Sequence, residues 1–428
     1  MSGISYKANN KRGSFAVFAV MVFMAMLIIT GAAVRGAAGK AVDSVSYAFG
    51  RLWGISILAE YDIYLKERYG IFGFWGNEVS AEKKLDMYID RSFGEKDYIK
   101  RSQTTCDLDG YEITEPENLK AQIEKAVLTR TKPRSDENIE DGRASDRSIR
   151  ADWIIKGLPS YGKTEKSYLA NLIARLKSGM TLEDAGADLA INSYILTFFK
   201  DASDDKGLQE TYFRCEVEYI ISGQLDEAMS RKKTQANIKT IRNAMNLFYL
   251  YSCGPKREAA MSLASALTPG PAALLTQAAL LELWAYAEAE NDMKLLNDNK
   301  TVPFIKKDSN WALTLDNVFG STADEAREII VSGEDDDQDR EKDKNGGYIS
   351  PQVIEGEDYQ DYLTVLLCGI YDETKLYRIM DLIQMNMKYV YRDDFLLKEY
   401  NCGLSYTMKV NGKNYAYEET YQKDIARQ

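Results

Sequence analysis

Phe15–Val34 reads FAVFAVMVFMAMLIITGAAV and directly follows the short basic head MSGISYKANNKRG. These 20 residues carry no ionisable side chain. At ~1.5 Å of helical rise per residue they match the ~30 Å hydrocarbon core of a bilayer. No Asp or Glu precedes Asp43, and Lys7, Lys11 and Arg12 all lie on the amino-terminal side. Positive charge on one flank predicts an amino terminus held in the cytoplasm and a carboxy-terminal remainder delivered outside. Two readings fit the run. A cleaved secretory signal shares the basic start, and Gly31, Ala32 and Ala33 suit a peptidase. Its apolar stretch is ~7–15 residues, however, and the longer run here favours a retained single-pass anchor.

Composition narrows the function classes. The chain has 428 residues, 45% hydrophobic and 28% charged, as expected of a folded soluble part beyond the anchor. A net charge of −11 argues against a nucleic-acid partner, because phosphate binding needs a basic face. There is no histidine at all. That removes Ser–His and Cys–His catalysis, histidine-ligated zinc and imidazole acid–base chemistry together. Cys106, Cys215, Cys253, Cys368 and Cys402 are widely spaced with no CxxC pair, so they read as free thiols and not as a metal site or disulfide scaffold.

The regions expected are a basic head (1–13), a transmembrane helix (14–34), its continuation outside the membrane (35–70) and an α-rich α+β domain (71–428). Val42, Val45, Phe49, Leu52, Ser56, Ala59 and Ile63 recur at three- and four-residue steps. They form a stripe facing either the chain's own fold or a partner helix. Ala32 with Gly36, and Ala33 with Ala37, give small residues four apart, the spacing that lets helix backbones approach closely. Gly70 should end this helix, and IFGFWG (Ile71–Gly76) should pack as an aromatic plug in the core.

Strands are expected at Cys106–Ile113, Thr211–Ser222 and Leu404–Glu419. In the last, Asn411–Gly412 signals a two-residue hairpin placing Tyr406 opposite Tyr417 and Met408 opposite Tyr415. Helices are expected over residues 167–200, in three segments over 225–295, and at Tyr359–Cys368 and Asp372–Met387. Thr129–Ser148 and Ser332–Gly347 are polar inserts too poor in apolar residues to fold alone. Too few strands lie in any one section to stand alone, so they should gather into one small mixed sheet on the helices of 225–295, within a single outer domain.

Motifs for chemistry are absent. Glu341, Asp343, Asn345 and Gly346 begin like a calcium loop, but Gln352 stands where the bidentate Glu belongs, and a one-residue shift brings Lys342 and Lys344 onto ligand positions. No phosphate-binding glycine loop and no nucleophile–base pattern occurs. The reading is a non-enzymatic protein without cofactor, metal or catalytic residue.

Several stretches together resemble one family. They are Arg12-Gly13-Ser14, Ala59-Glu60-Tyr61 with Leu65, Tyr69-Gly70-Ile71-Phe72, Leu158-Pro159-Ser160, Ala285-Tyr286-Ala287-Glu288-Ala289, Asp361-Tyr362-Leu363 and Met380-Asp381-Leu382-Ile383-Gln384-Met385-Asn386. The chain resembles Gram-positive envelope proteins encoded with Tad-type pilus genes, with the layout of TadE- and TadG-like minor pilins. The resemblance implies a structural or accessory role at a pilus assembly, with the bilayer and other pilin-like or assembly subunits as partners. It also marks Gly13–Ser14 as a prepilin-type processing site. The sequence departs from that processing pattern at Phe18, the fifth residue after Gly13, where the pattern has Glu. The alternative is a surface binding module or adhesin, anchored independently or secreted.

Overall fold

A computed structural model describes residues 11–94, 99–129, 131–132, 153–162, 182–203, 210–320, 322–332 and 347–421. The fold is α+β and rich in helix, with a long apolar amino-terminal helix, small antiparallel sheets and a carboxy-terminal hairpin. It comprises two compact units that interleave in sequence. One contains residues 1–62, 72–115 and 398–428; the other contains 63–71 and 116–397.

In the first unit, α1 (Lys11–Leu58) runs unbroken for 48 residues. Its Phe15–Leu58 portion is long and apolar enough to cross a membrane, alone in this among the described helices. β1 (Phe74–Trp75), α3 (Glu78–Phe93), β2 (Thr105–Asp107), β3 (Tyr400–Asn401), β4 (Gly403–Val410) and β5 (Lys413–Thr420) complete the unit. β2, β4 and β5 form an antiparallel sheet in that order, and β1 pairs with β3. Asn77 caps α3 by accepting from Ser80 N, and Ser80 returns the bond to Asn77 N. Trp53, Leu85, Ile89, Phe93, Leu404 and Met408 make the core between α1, α3 and the sheet.

The hairpin has the expected register, Tyr406 opposite Tyr417 and Met408 opposite Tyr415. Positive φ at both Asn411 (51°) and Gly412 (85°) is the geometry that a tight two-residue turn demands. The sheet, however, packs on α1 and α3, and the helices of residues 225–295 belong to the other unit. α1 also stops at Leu58, earlier than expected. Residues 59–62 break the helix before α2 (Ile63–Tyr69), which ends at Gly70 as anticipated.

The second unit holds α2, α4 (Pro116–Leu128), α5 (Leu182–Phe198), α6 (Glu216–Ser222), α7 (Glu227–Ser252), α8 (Gly254–Leu267), α9 (Ala273–Asn297), α10 (Leu315–Phe319), α11 (Ala323–Ser332), α12 (Tyr359–Cys368) and α13 (Asp372–Val390). α7, α8 and α9 are the three segments expected, divided at Gly254-Pro255 and Gly270-Pro271. Leu250, Ala260, Leu281, Trp284, Trp311 and Phe319 pack among them.

Thr211–Ser222 is not a strand. Its second half is α6, closed by Gly223 at φ 66°, and every residue of α6 is buried. The alternation of Glu216, Val217, Glu218 and Tyr219 therefore does not mark a wet and a dry face, because the glutamates are inside as well. Ile71 and Phe74 of the aromatic plug are buried, whereas Trp75 is exposed. Most of both polar inserts, the head before Lys11, the calcium-like segment 341–346 and the predicted helical stretch 167–181 lie outside the described residues.

Candidate functional site

The feature with the clearest functional geometry is α1 and the strand that runs beside it. Asp43 takes Lys413 Nζ at 2.8 Å and the Tyr415 hydroxyl. Tyr417 OH donates to Ser46 O at 2.7 Å, and Tyr406 OH donates to Gly50 O. Arg51 Nε reaches Glu419 Oε1 at 2.8 Å, and Tyr421 OH donates to Leu58 O at 2.5 Å. Along β5 and just beyond, residues 415, 417, 419 and 421 thus climb α1 in order. The match is geometric: two strand residues advance ~6.8 Å and four helix residues ~6 Å, so alternate strand side chains meet successive turns of one helix face.

That face is made of small residues. Ser46, Gly50 and Gly54 follow one another at four-residue steps, and all three are buried. A Cβ on Gly50 would lie 2.1 Å from Tyr417 Cε1, and one on Gly54 2.9 Å from Glu419 Cγ. Bare backbone lets the phenols reach carbonyl oxygens that already accept a helical bond, using the second lone pair. Hydrogen bonds from Lys413 and Tyr415 hold the Asp43 carboxyl below its usual range.

Of the two readings of the apolar stripe, packing on the chain's own fold holds only at its start. Val42 is buried and Val45 partly so, but Phe49, Leu52, Ala59 and Ile63 are exposed. The close-packed small-residue face takes the sheet, because a tyrosine row cannot seat on Phe49 and Leu52. The packing candidates Ala32, Ala33, Gly36 and Ala37 are exposed on α1, and nothing lies within 4 Å of a Cβ built at Gly36. Gly13 and Ser14 fall inside the first turns of α1.

Two buried polar clusters in the second unit explain several of the sequence's marked residues. In the first, Arg242 Nε donates to Asp292 Oδ2 at 3.1 Å, Arg242 Nη1 to Pro303 O at 2.8 Å, and Arg242 Nη2 to Asn246 Oδ1 at 2.8 Å. Lys306 Nζ bonds Asp292 Oδ1 at 2.6 Å and also Glu288, whose carboxylate accepts the amides of Ala312 and Leu313. Two acids face two bases, and these bonds pin the 303–313 segment to α7 and α9. Burial still raises the Glu288 carboxyl above its ordinary value.

The second cluster surrounds α13, where every residue from Thr374 to Tyr389 is buried. Asp381 accepts Ser160 N at 2.9 Å and Tyr219 OH at 2.6 Å, and Gln384 Nε2 donates to Gly157 O at 2.9 Å. The quoted stretches around Leu158 and Met380 are thereby brought together. Glu216 accepts Lys200 N at 2.9 Å and Asn386 Nδ2 at 2.6 Å. Glu218 Oε1 accepts Ala202 N at 2.9 Å and Tyr359 OH at 3.0 Å. Burial pushes Glu216 up to about 6 and Glu218 up to about 7. Asp381, Gln384 and Asn386 lie in a stretch already quoted, whereas Glu216 and Glu218 belonged to no motif; the burial of α6 and α13 on all sides is what reveals their part.

Among the described residues one group of three carboxylates, Glu78, Asp107 and Asp109, is close enough to share a cation, and all three are exposed. No disulfide joins the five cysteines, and Cys106, Cys215 and Cys402 are buried.

A family of unknown function, DUF5702, matches residues 117–412. The chain belongs to it. No curated protein and no solved structure matches. The DUF5702 match begins in α4 and ends at the hairpin turn, so it includes both buried clusters and β4 but neither α1 nor β5.

Proposed function

We propose that this DUF5702 protein is a membrane-anchored, non-enzymatic structural or accessory subunit of a Tad-like envelope assembly, its amino terminus in the cytoplasm and its folded part outside. The observation that carries the reading is the continuity of α1. At ~1.5 Å per residue its 48 residues extend about 72 Å, more than twice the ~30 Å of a bilayer core. The part beyond Val34 is not a tether, since the hairpin grips it from Asp43 to Leu58. A rigid link between span and folded unit suits a protein whose orientation at the membrane matters. Phe49, Leu52 and Ile55, 42–50% exposed on the side away from the hairpin, give a protein neighbour an apolar face.

Cysteines introduced at Ala33 or Gly36, crosslinked in whole cells and analysed by mass spectrometry, test the proposal. Pilus-assembly components as neighbours support it. A monomer without neighbours supports an independently anchored binding module instead.

A further inference from the structure

The hairpin turn faces the membrane end of α1, and its height can be read from the contacts. Tyr417 is level with Ser46 and Gly50. Five residues back along β5, at about four helix residues per two strand residues, Gly412 is level with about residue 38 of α1. That is roughly 6 Å beyond Val34. The headgroup layer on each side of a bilayer is itself about 5–8 Å deep. The turn therefore hangs at headgroup depth beside the emerging helix.

Among the described residues the chemistry at this end is basic. Lys409 and Lys413 flank the turn and are exposed. Lys100 is tied beside it, its N donating to Asn411 Oδ1 at 2.8 Å and its O accepting from Asn411 N at 2.8 Å. Arg35 and Lys40 are exposed on the adjoining stretch of α1. Asp43 lies near them and is already paired with Lys413.

We infer that the Asn411–Gly412 turn, with Lys100, Lys409, Arg35 and Lys40, docks on anionic phospholipid headgroups where α1 leaves the bilayer. The inference rests on the anchor reading of α1. Docking would fix the folded unit upright on the membrane at two points, the span and the turn. Lysines at a charged surface contribute on the order of five-fold each to such an equilibrium.

The test uses the full chain with Cys253→Ser and Cys368→Ser, reconstituted in phosphatidylcholine vesicles with or without phosphatidylglycerol. A fluorophore on Asn414→Cys reports the turn, and one on Phe23→Cys reports the span. The expected result is strong quenching of the turn by headgroup nitroxide lipid and weak quenching by aqueous acrylamide, both requiring phosphatidylglycerol. Lys100→Gln with Lys409→Gln should lower the docked-to-undocked ratio by more than ten-fold, and Lys100→Arg with Lys409→Arg should retain it. A span label reached by deep nitroxide lipid, with a turn label equally open to acrylamide in both vesicles, overturns the docking and leaves the anchor intact. Quenching of the turn by headgroup lipid irrespective of lipid charge overturns the electrostatic basis. A span label not reached by deep lipid overturns the anchor, and the docking with it.

Discussion

Replacing Gly50 by Ala should loosen the folded unit from its helix, and the structure sets the size of the effect. The added Cβ would stand 2.1 Å from Tyr417 Cε1, 2.2 Å from Cζ and 2.7 Å from Cδ1, far inside contact distance. Those are ring atoms of a side chain that is itself packed on Tyr406 at a centroid distance of 5.1 Å. Tyr417 must move, and its bond to Ser46 O and the Tyr406 bond to Gly50 O go with it. Overpacking costs about 1–3 kcal/mol, at the upper end for so close an approach. Two hydrogen bonds add about 1–3 kcal/mol. Ala is favoured over Gly in a helix by about 1 kcal/mol, which offsets part of this. The net loss is about 3–5 kcal/mol. Gly39→Ala is the control, because nothing lies within 4 Å of its Cβ and only the propensity gain applies. Urea unfolding in detergent, followed by hydrogen exchange of peptides from α1 and β5, measures both. Gly50→Ala combined with Tyr417→Ala should lose less than the sum of the single changes. If Gly50→Ala is as stable as the parent, the tyrosine row does not seat on bare helix and the reasoning fails.

Glu218→Gln should stabilise the protein at pH 8 by about 3 kcal/mol, with the gain vanishing below pH 4. Burial raises this acid from about 4.5 to about 7, so the native state holds the proton more tightly and stability falls as pH rises across that window. Urea midpoints at several pH values decide it, and a gain independent of pH contradicts it. Arg242→Met leaves Asp292 and Glu288 facing Lys306 alone in a buried site, and should cost about 3–5 kcal/mol by urea unfolding. Native-state alkylation should modify the exposed Cys368 first and spare Cys106, Cys215 and Cys402, whose thiols burial pushes up to about 12.

Local signals proved readable where one chemistry dictates one geometry. The Asn411–Gly412 turn fixed the pairing of Tyr406 with Tyr417, and the Gly-Pro breaks separated α7, α8 and α9. What the sequence hid were positions where polar residues are inside or apolar ones outside. α13 is buried from Thr374 to Tyr389 although it carries Lys375, Arg378, Asp381, Gln384 and Lys388, because each of these finds a partner remote in sequence. Glu216 and Glu218 mimicked a strand's wet face for the same reason. On α1 the reading followed the large residues Phe49 and Leu52, while the packing followed Ser46, Gly50 and Gly54. Small residues report contact only when the partner is known, and here that partner lies more than 350 residues later in the chain. The small-residue positions Ala32, Ala33, Gly36 and Ala37 were visible from spacing alone, and their exposure keeps them available to a neighbour.

The retained anchor is the claim on which the rest depends, and one measurement addresses it directly. Cells are fractionated, the membranes washed with alkaline carbonate, and the intact mass and amino-terminal sequence of the protein determined in pellet and medium. The account predicts protein in the washed membranes with Phe15–Val34 still attached, whether or not cleavage has occurred after Gly13. Protein free in the medium, beginning between Gly31 and Ala38, would contradict it.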